Sequence, residues 1–218
     1  MLDNTFAPNA RNRFATLDGI EDRIIYYLLS PNNKTEEELK ATHTIWKLLT
    51  YNTGDALNKK LPNYKKVVGL IANDDITQTD KRIFRSPHFE DAFLTEATLL
   101  KVYIDGIIPK DPYKAVVNVG IDIITHNKCI NIAADEEDKG LPIDIVDGVE
   151  YYVGTKSRIS VLTQAIISLL NGANVQGVGL MEFSGTMSRF QQAQYGIWNN
   201  RNFEGIKVVM GCWMSGVS

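Results

Sequence analysis

Apolar residues recur with a helical period through the first third of the chain. A first short helix is predicted to end before Pro31, because the residue that precedes a proline is disfavoured in helical geometry. Its apolar face is formed by Ile20, Ile24, Tyr27 and Leu28.

A second helix is predicted to begin at Thr35, where Thr35 and Glu38 have the spacing of a capping box. Its apolar stripe consists of Leu39, Thr42, Trp46 and Leu49, widened by Ile45 and Leu48. Asn52-Thr53-Gly54 ends this helix. A third and shorter helical face carries Tyr64, Val67, Val68 and Ile71.

From about Lys81 the apolar period changes from helical to two. In "KAVVNVGIDII" one side is apolar (Val117, Val119, Ile121, Ile123) and the other carries Asn118, Gly120 and Asp122. This alternation predicts a half-buried strand. The strand is predicted to lie antiparallel to "TLLKVYID", because "GIIPKDPYK" is too short for a helical crossover.

The remaining elements complete an α+β pattern. Short strands are predicted around 143–146 and 149–153, and longer ones at Val178–Phe183 and Ile206–Met214. Between these pairs, a helix with Ser157 as N-cap ends at Asn171-Gly172 and buries Ile159, Leu162, Ile166 and Leu169. The predicted fold is therefore an N-terminal helical segment followed by an antiparallel β-sheet with one helix packed on it.

Three segments are predicted along the chain. Residues 1–17 form an extended N-terminal arm with few apolar anchors, 18–75 the helical segment, and 76–218 the α+β core. The core contains a long polar and aromatic loop over 184–204. A loop of that length in a compact domain is usually functional or disordered.

Composition narrows the class of protein. With 44% hydrophobic and 22% charged residues and a net charge of −3, the chain is typical of a globular protein and has no overall basic character for binding nucleic acid. No apolar run approaches the ~20 residues of a membrane span, and the first residues lack the features of a signal peptide. We therefore expect a soluble protein made in a reducing cytosol.

His126 and Cys129 form the clearest candidate for metal or nucleophilic chemistry. A zinc site requires three or four protein ligands, so this pair is incomplete unless acids of Asp135–Asp138 join it. The strand pattern favours a turn or bulge after His126, with apolar residues resuming beyond it. We predict no metal, no cofactor and no catalytic residue; the alternative is a small metal-dependent hydrolase that uses His126 and the nearby acids.

Other candidate binding segments are weaker. "GVEYYVGTKS" departs from a P-loop, because five residues separate its glycines and Thr155 precedes the lysine. "KKLPNYKK" and "KRIFRSPHF" mix basic and aromatic residues, as nucleic-acid surfaces do. Both are short and balanced by nearby acids, which favours solvated faces.

Several blocks of the chain resemble the neck proteins of tailed bacteriophages, which form head–tail connector and tail-completion rings below the portal. The blocks are "IWKLLTYNTGDAL", "RIFRSPHFEDAFLTEATLLKVYIDGIIP", "VVNVGIDIITHNKCINI", "RISVLTQAIISLLNG" and "NFEGIKVVMG". The resemblance implies a non-catalytic virion protein, made in the host cytoplasm, that assembles as a ring around the DNA channel. The C-terminal part is also similar to tail-terminator subunits, which leaves the layer of the neck open.

The resemblance also implies partners. They are further copies of the chain in a dodecamer or hexamer, the portal protein, and other neck or tail proteins; genomic DNA would pass through the ring without sequence-specific binding, and no membrane is involved. The loop 184–204 carries residue types that are enriched at interface hot spots. Its candidate interface residues are Arg189, Phe190, Tyr195, Trp198 and Arg201.

Overall fold

A computed structural model shows that the chain has an α+β fold, as the sequence predicts. Helices cover one side of a mixed β-sheet. The structure describes residues 19–72, 80–85, 96–111, 114–133, 144–147, 149–151, 154–183, 190–191 and 202–215.

Within the described residues, four α-helices lie close to their predicted positions. They are α1 (Ile20–Leu29), α2 (Glu36–Thr50), α3 (Tyr64–Val68) and α4 (Arg158–Leu170), and a 3₁₀ turn (Ala56–Asn58) lies between α2 and α3. Within the described parts of the chain, no helix is long and apolar enough to cross a membrane.

The predicted helix caps are confirmed. The Thr35 hydroxyl accepts a hydrogen bond from the Glu38 N–H, and the Glu38 carboxylate accepts one from the Thr35 N–H. Ser157 caps α4 in a similar way through the Ser160 N–H. Local side chains therefore start both helices where the sequence places them.

Among the residues described, the main sheet has seven strands in the order β1-β2-β3-β11-β9-β8, with β10 also paired to β11. Two further pairs, β4–β7 and β5–β6, lie outside it. The strands are β1 (Ile83–Phe84), β2 (Thr98–Asp111), β3 (Lys114–His126), β4 (Asn131–Ala133), β5 (Asp144–Val146), β6 (Val149–Tyr151), β7 (Thr155–Ser157), β8 (Asn174–Val175), β9 (Gly179–Glu182), β10 (Phe190–Gln191) and β11 (Phe203–Ser215).

Strands β2 and β3 form the predicted antiparallel hairpin, and β11 pairs with the other edge of β3 along the whole length of β3. The apolar positions of β3 point to the helices and are fully buried: Val117, Val119, Ile121 and Ile123. Strand β1 pairs parallel with β2, so the sheet is mixed and not purely antiparallel.

The helical layer is larger than predicted. Buried residues of α1, α2 and α4 belong to the same hydrophobic cluster as the sheet, so more than one helix packs on this face. The apolar stripes of α1 and α2 pack against β2 and against each other, and α2 also packs against α4, so this layer removes them from water. The predicted boundary at residues 75/76 thus separates segments that share one core.

The predicted loop 184–204 contains regular structure at two points. Phe190–Gln191 forms β10 against Val208 and Lys207, and β11 begins at Phe203, three residues before the predicted start at Ile206. Residues 184–189 and 192–201 lie outside the described parts of the chain, as do residues 1–17 of the predicted arm.

Candidate functional site

Of the five predicted interface residues, the structure describes the backbone of one. Phe190 is the first residue of β10 and pairs with Val208. The other four lie outside the described residues, so their role stays a prediction: Arg189, Tyr195, Trp198 and Arg201.

His126 ends β3, and its ring takes part in the turn that the sequence predicts. Its Nδ1 accepts a hydrogen bond from the Lys128 N–H at 3.2 Å and so caps a 3₁₀ turn, Asn127–Cys129. The ring also meets the ring of Phe203 edge to face, with the centroids 5.0 Å apart. The acids of Asp135–Asp138, which the alternative metal site requires, lie outside the described residues.

Both cysteine thiols are buried in the fold. Burial raises the pKa of the Cys129 thiol above its ordinary value and raises that of Cys212 to about 11. Since the thiolate is the nucleophilic form, these environments do not activate either sulfur. Among the described residues, no group of three or more His, Cys, Asp or Glu side chains is placed to hold a metal ion.

The face of the sheet opposite the helices contains a buried charged row, which we define as Lys101, Asp122 and Lys207. Asp122 lies directly opposite Lys101 on β2 and Lys207 on β11. The three residues are only 3%, 8% and 8% exposed. The sequence predicts the direction of Asp122 correctly but not its burial, because alternation cannot show what covers the second face.

Tyr103 and Asp105 complete the contacts of the charged row. The Tyr103 hydroxyl donates a hydrogen bond to Asp122 Oδ1 at 3.0 Å, and the Lys207 ammonium forms an ion pair with Asp105. The same ammonium lies 5.3 Å from the centroid of the Tyr103 ring. Gly120 is needed beneath that ring, since a Cβ there would lie 2.7 Å from Tyr103 Cζ.

The environment shifts the pKa values of these groups in different directions. Burial lowers the pKa of Lys101 to about 8, although Asp122 opposes the shift, and burial raises the pKa of Asp122. Burial alone would lower the pKa of Lys207, but its hydrogen bonds to Asp105 and Tyr103 raise it. Lys101 and Lys207 lie on either side of Asp122, so opposite charges face each other across β2, β3 and β11.

The lowered pKa of Lys101 predicts that this residue adds to stability as the pH rises from 8 to 10. Over this interval the unfolded chain binds a proton at Lys101 that the folded chain has lost, so the contribution of Lys101 to the free energy of unfolding increases with pH. The buried thiols act in the opposite direction, because the folded chain keeps thiol protons that the unfolded chain loses. Urea unfolding at pH 7, 8, 9 and 10 measures the effect. The free energy of unfolding of the parent protein should change more favourably over this range than that of Lys101→Met; equal changes would contradict the assignment.

Large apolar side chains are exposed at the far end of the same face of the sheet. Val116 lies opposite Ile108 on β2 and Trp213 on β11. Strand β9 pairs Met181 with Cys212, so the register sets Leu180 beside Trp213. We define Ile108, Trp213 and Leu180 as the apolar row; they are 44%, 40% and 43% exposed.

The apolar row is a candidate contact surface that reasoning from the sequence missed. Its residues come from β2, β9 and β11, and each looks like an ordinary strand position in its own segment. Only the pairing of the strands brings them together. Contiguous exposed apolar residues rimmed by polar ones typically mark sites of protein interaction.

Comparison with known proteins gives a family and no closer relative. A family model described as YomW matches residues 43–212, which is well over half of the chain. No curated protein and no solved structure matches the chain. The matched residues extend from α2 to β11, and they include the whole charged row and two residues of the apolar row, Ile108 and Leu180. The chain therefore belongs to the YomW family, a phage-derived family of Bacillus prophage type, and is a phage-associated protein.

Proposed function

We propose that this protein is a virion structural protein of a tailed bacteriophage, which forms a homo-oligomeric ring in the neck between portal and tail. Membership of a phage-derived family and the resemblance of its blocks to neck proteins support this function. In the proposed role the protein acts through contacts with its own copies and its neighbours, and has no catalytic activity. The ring surrounds the channel through which genomic DNA passes.

The apolar row is the observation that carries the proposal. The charged side chains of the same sheet face are engaged with one another, whereas Ile108, Trp213 and Leu180 are partly open to solvent at its end. Burying such side chains against another protein is favourable by about 25 cal/mol per Å² of apolar area. A surface of this kind suits a subunit contact better than a reaction site.

A second apolar surface lies on the other side of the sheet. A groove of about 560 Å³ between α4 and β11 is lined on its apolar side by Ile167, Phe183 and Ile206. Ring subunits meet through two different patches, because the same contact repeats head to tail until the ring closes. The apolar row and this groove provide two such patches on opposite faces of the sheet.

Replacing Ile108 and Leu180 together with aspartate is expected to prevent assembly while the subunit stays folded. Both positions are already partly hydrated in the isolated chain, but a carboxylate buried in a subunit contact loses its hydration. We expect at least a tenfold rise in the concentration needed for assembly. Native mass spectrometry or mass photometry over a concentration series measures it.

The matched control is Tyr26→Asp with Val149→Asp, which adds the same two charges at apolar residues outside the row. These residues are 58% and 56% exposed. The control variant should assemble like the parent protein, and both variants should keep the parent circular dichroism spectrum. Equal assembly of the two variants would remove the apolar row from the contact.

The mass of the parent assembly, with and without portal protein, tests the proposed function itself. A dodecamer that binds the portal supports a connector ring, and a hexamer that binds tail proteins instead indicates the tail-terminator layer. A monomer that ignores the portal at high concentration would contradict a role in the neck.

A further inference from the structure

Four lysines form a basic surface on the connection from α2 to α3 and on α3 itself. We define Lys59, Lys60, Lys65 and Lys66 as the lysine patch. Lys60, Lys65 and Lys66 are exposed, and the Lys59 side chain is 34% exposed. Segment Asp55–Val68 contains these four lysines and a single carboxylate, Asp55, although the whole chain has a net charge of −3. The patch is therefore a local reversal of the overall charge, although the sequence pattern alone favours a solvated face here.

The backbone that carries the patch is held firmly to the core. The Tyr51 hydroxyl donates a hydrogen bond to the Lys60 carbonyl at 2.8 Å, and Asn63 Oδ1 accepts one from the Lys66 N–H at 2.8 Å. Val67 is fully buried, and the Tyr64 ring stacks on Trp46 with centroids 5.7 Å apart. The lysines thus project from a fixed support, which lowers the entropy that a bound partner must remove.

Two of the ammonium groups converge on one aromatic ring. Lys59 Nζ lies 5.3 Å and Lys66 Nζ 5.4 Å from the centroid of Tyr51. Asp55 is 3.4 Å from Lys59 and is itself largely exposed, so it screens that lysine weakly. Positive charge is therefore concentrated at the Tyr51 ring.

We infer that the lysine patch binds the phosphate backbone of double-stranded DNA without reading its sequence. Lysine ammonium groups act as point charges toward phosphates, whereas reading bases needs an element that enters the major groove. With five residues, α3 is too short for that role. The choice of DNA as ligand rests on the proposed function, because the ring encloses the packaged genome. In the ring, the end of α2 and the helix α3 then face the channel.

The test uses the full chain in its assembled form and a fluorescent random-sequence duplex of about 30 base pairs, followed by anisotropy between 50 and 200 mM salt. Binding of the parent protein should weaken steeply with salt, because phosphate contacts release counterions. Lys65→Gln with Lys66→Gln should weaken binding at least tenfold and reduce the salt slope by about two.

Lys40→Gln with Lys128→Gln is the matched control, since it removes two exposed lysines from outside the patch. It should bind DNA within twofold of the parent protein. Equal losses in the two double variants would show that net charge alone governs binding and would overturn the inference. Absence of parent binding at 50 mM salt would overturn it as well.

Native mass measurement of the same samples separates this inference from the proposed ring. If the patch variant fails to assemble but binds DNA like the parent, the patch is a subunit contact and the inference is wrong. If the parent protein is monomeric and the patch variant still loses DNA binding selectively, the result contradicts the proposed ring and supports the DNA-binding site.

Discussion

Replacing Arg158 with methionine is expected to lower the free energy of unfolding by about 3–5 kcal/mol, the largest effect of any single substitution considered. The Arg158 side chain is fully buried at the start of α4. Its guanidinium donates hydrogen bonds to four backbone carbonyls, at 2.6–2.9 Å: those of Cys129, Leu48, Tyr51 and Thr53.

The size of the effect follows from the buried carbonyls that lose their hydrogen-bond donor when methionine replaces Arg158. Carbonyls near the end of α2 have no partner inside their own helix, and Arg158 supplies the missing donors. The same guanidinium joins them to the turn after β3 through Cys129. Each buried carbonyl that loses a donor costs about 1–3 kcal/mol, and partial entry of water reduces the sum.

Urea unfolding followed by circular dichroism measures this loss. Arg158→Lys should recover only a minor part of it, since one ammonium cannot reproduce a planar fork that reaches four acceptors. Arg85→Met is the matched control: Arg85 pairs with Asp22 at an exposed site, and its loss should cost less than 1 kcal/mol. Equal costs at the two sites would contradict the structural role of Arg158.

Asp122→Asn is expected to cost about 3 kcal/mol, the second largest effect. The substitution keeps the shape of the side chain and an acceptor for the Tyr103 hydroxyl, but removes the charge opposite Lys101. Lys101 is 3% exposed, and its pKa is already lowered to about 8. Without Asp122 the charged form of Lys101 would be still less favourable in the folded protein, because a buried charge that loses its counterion is not rehydrated.

A double-mutant cycle tests this explanation. Lys101→Met with Asp122→Asn removes both charges, so the double variant should be more stable than Asp122→Asn alone by at least 1 kcal/mol. Urea unfolding of the four proteins at pH 7 gives the coupling energy. Strictly additive losses would show that the two charges do not depend on each other.

Much of the helical layer follows from local sequence. The capping box of Thr35 and Glu38 and the cap at Ser157 need only residues within one turn, so their positions could be predicted. Alternation in β3 likewise predicts the direction of each side chain and, with the short connection, the antiparallel hairpin.

Contacts between distant segments could not be predicted in the same way. Arg158 resembles an ordinary residue in the first turn of a helix, and its acceptors lie up to 110 positions away. The apolar row exists because β2, β9 and β11 align with β3 in one register. No local pattern encodes that alignment, since it depends on the pairing of whole strands.

The amino-acid order alone thus establishes the α+β class, the starts of α2 and α4 and the inward face of β3, because hydrophobic period and capping act over a few residues. Which charges are buried together, and which apolar side chains remain exposed, depends on how the sheet is assembled and covered. Those properties arise from burial and strand register, which are cooperative over the entire domain.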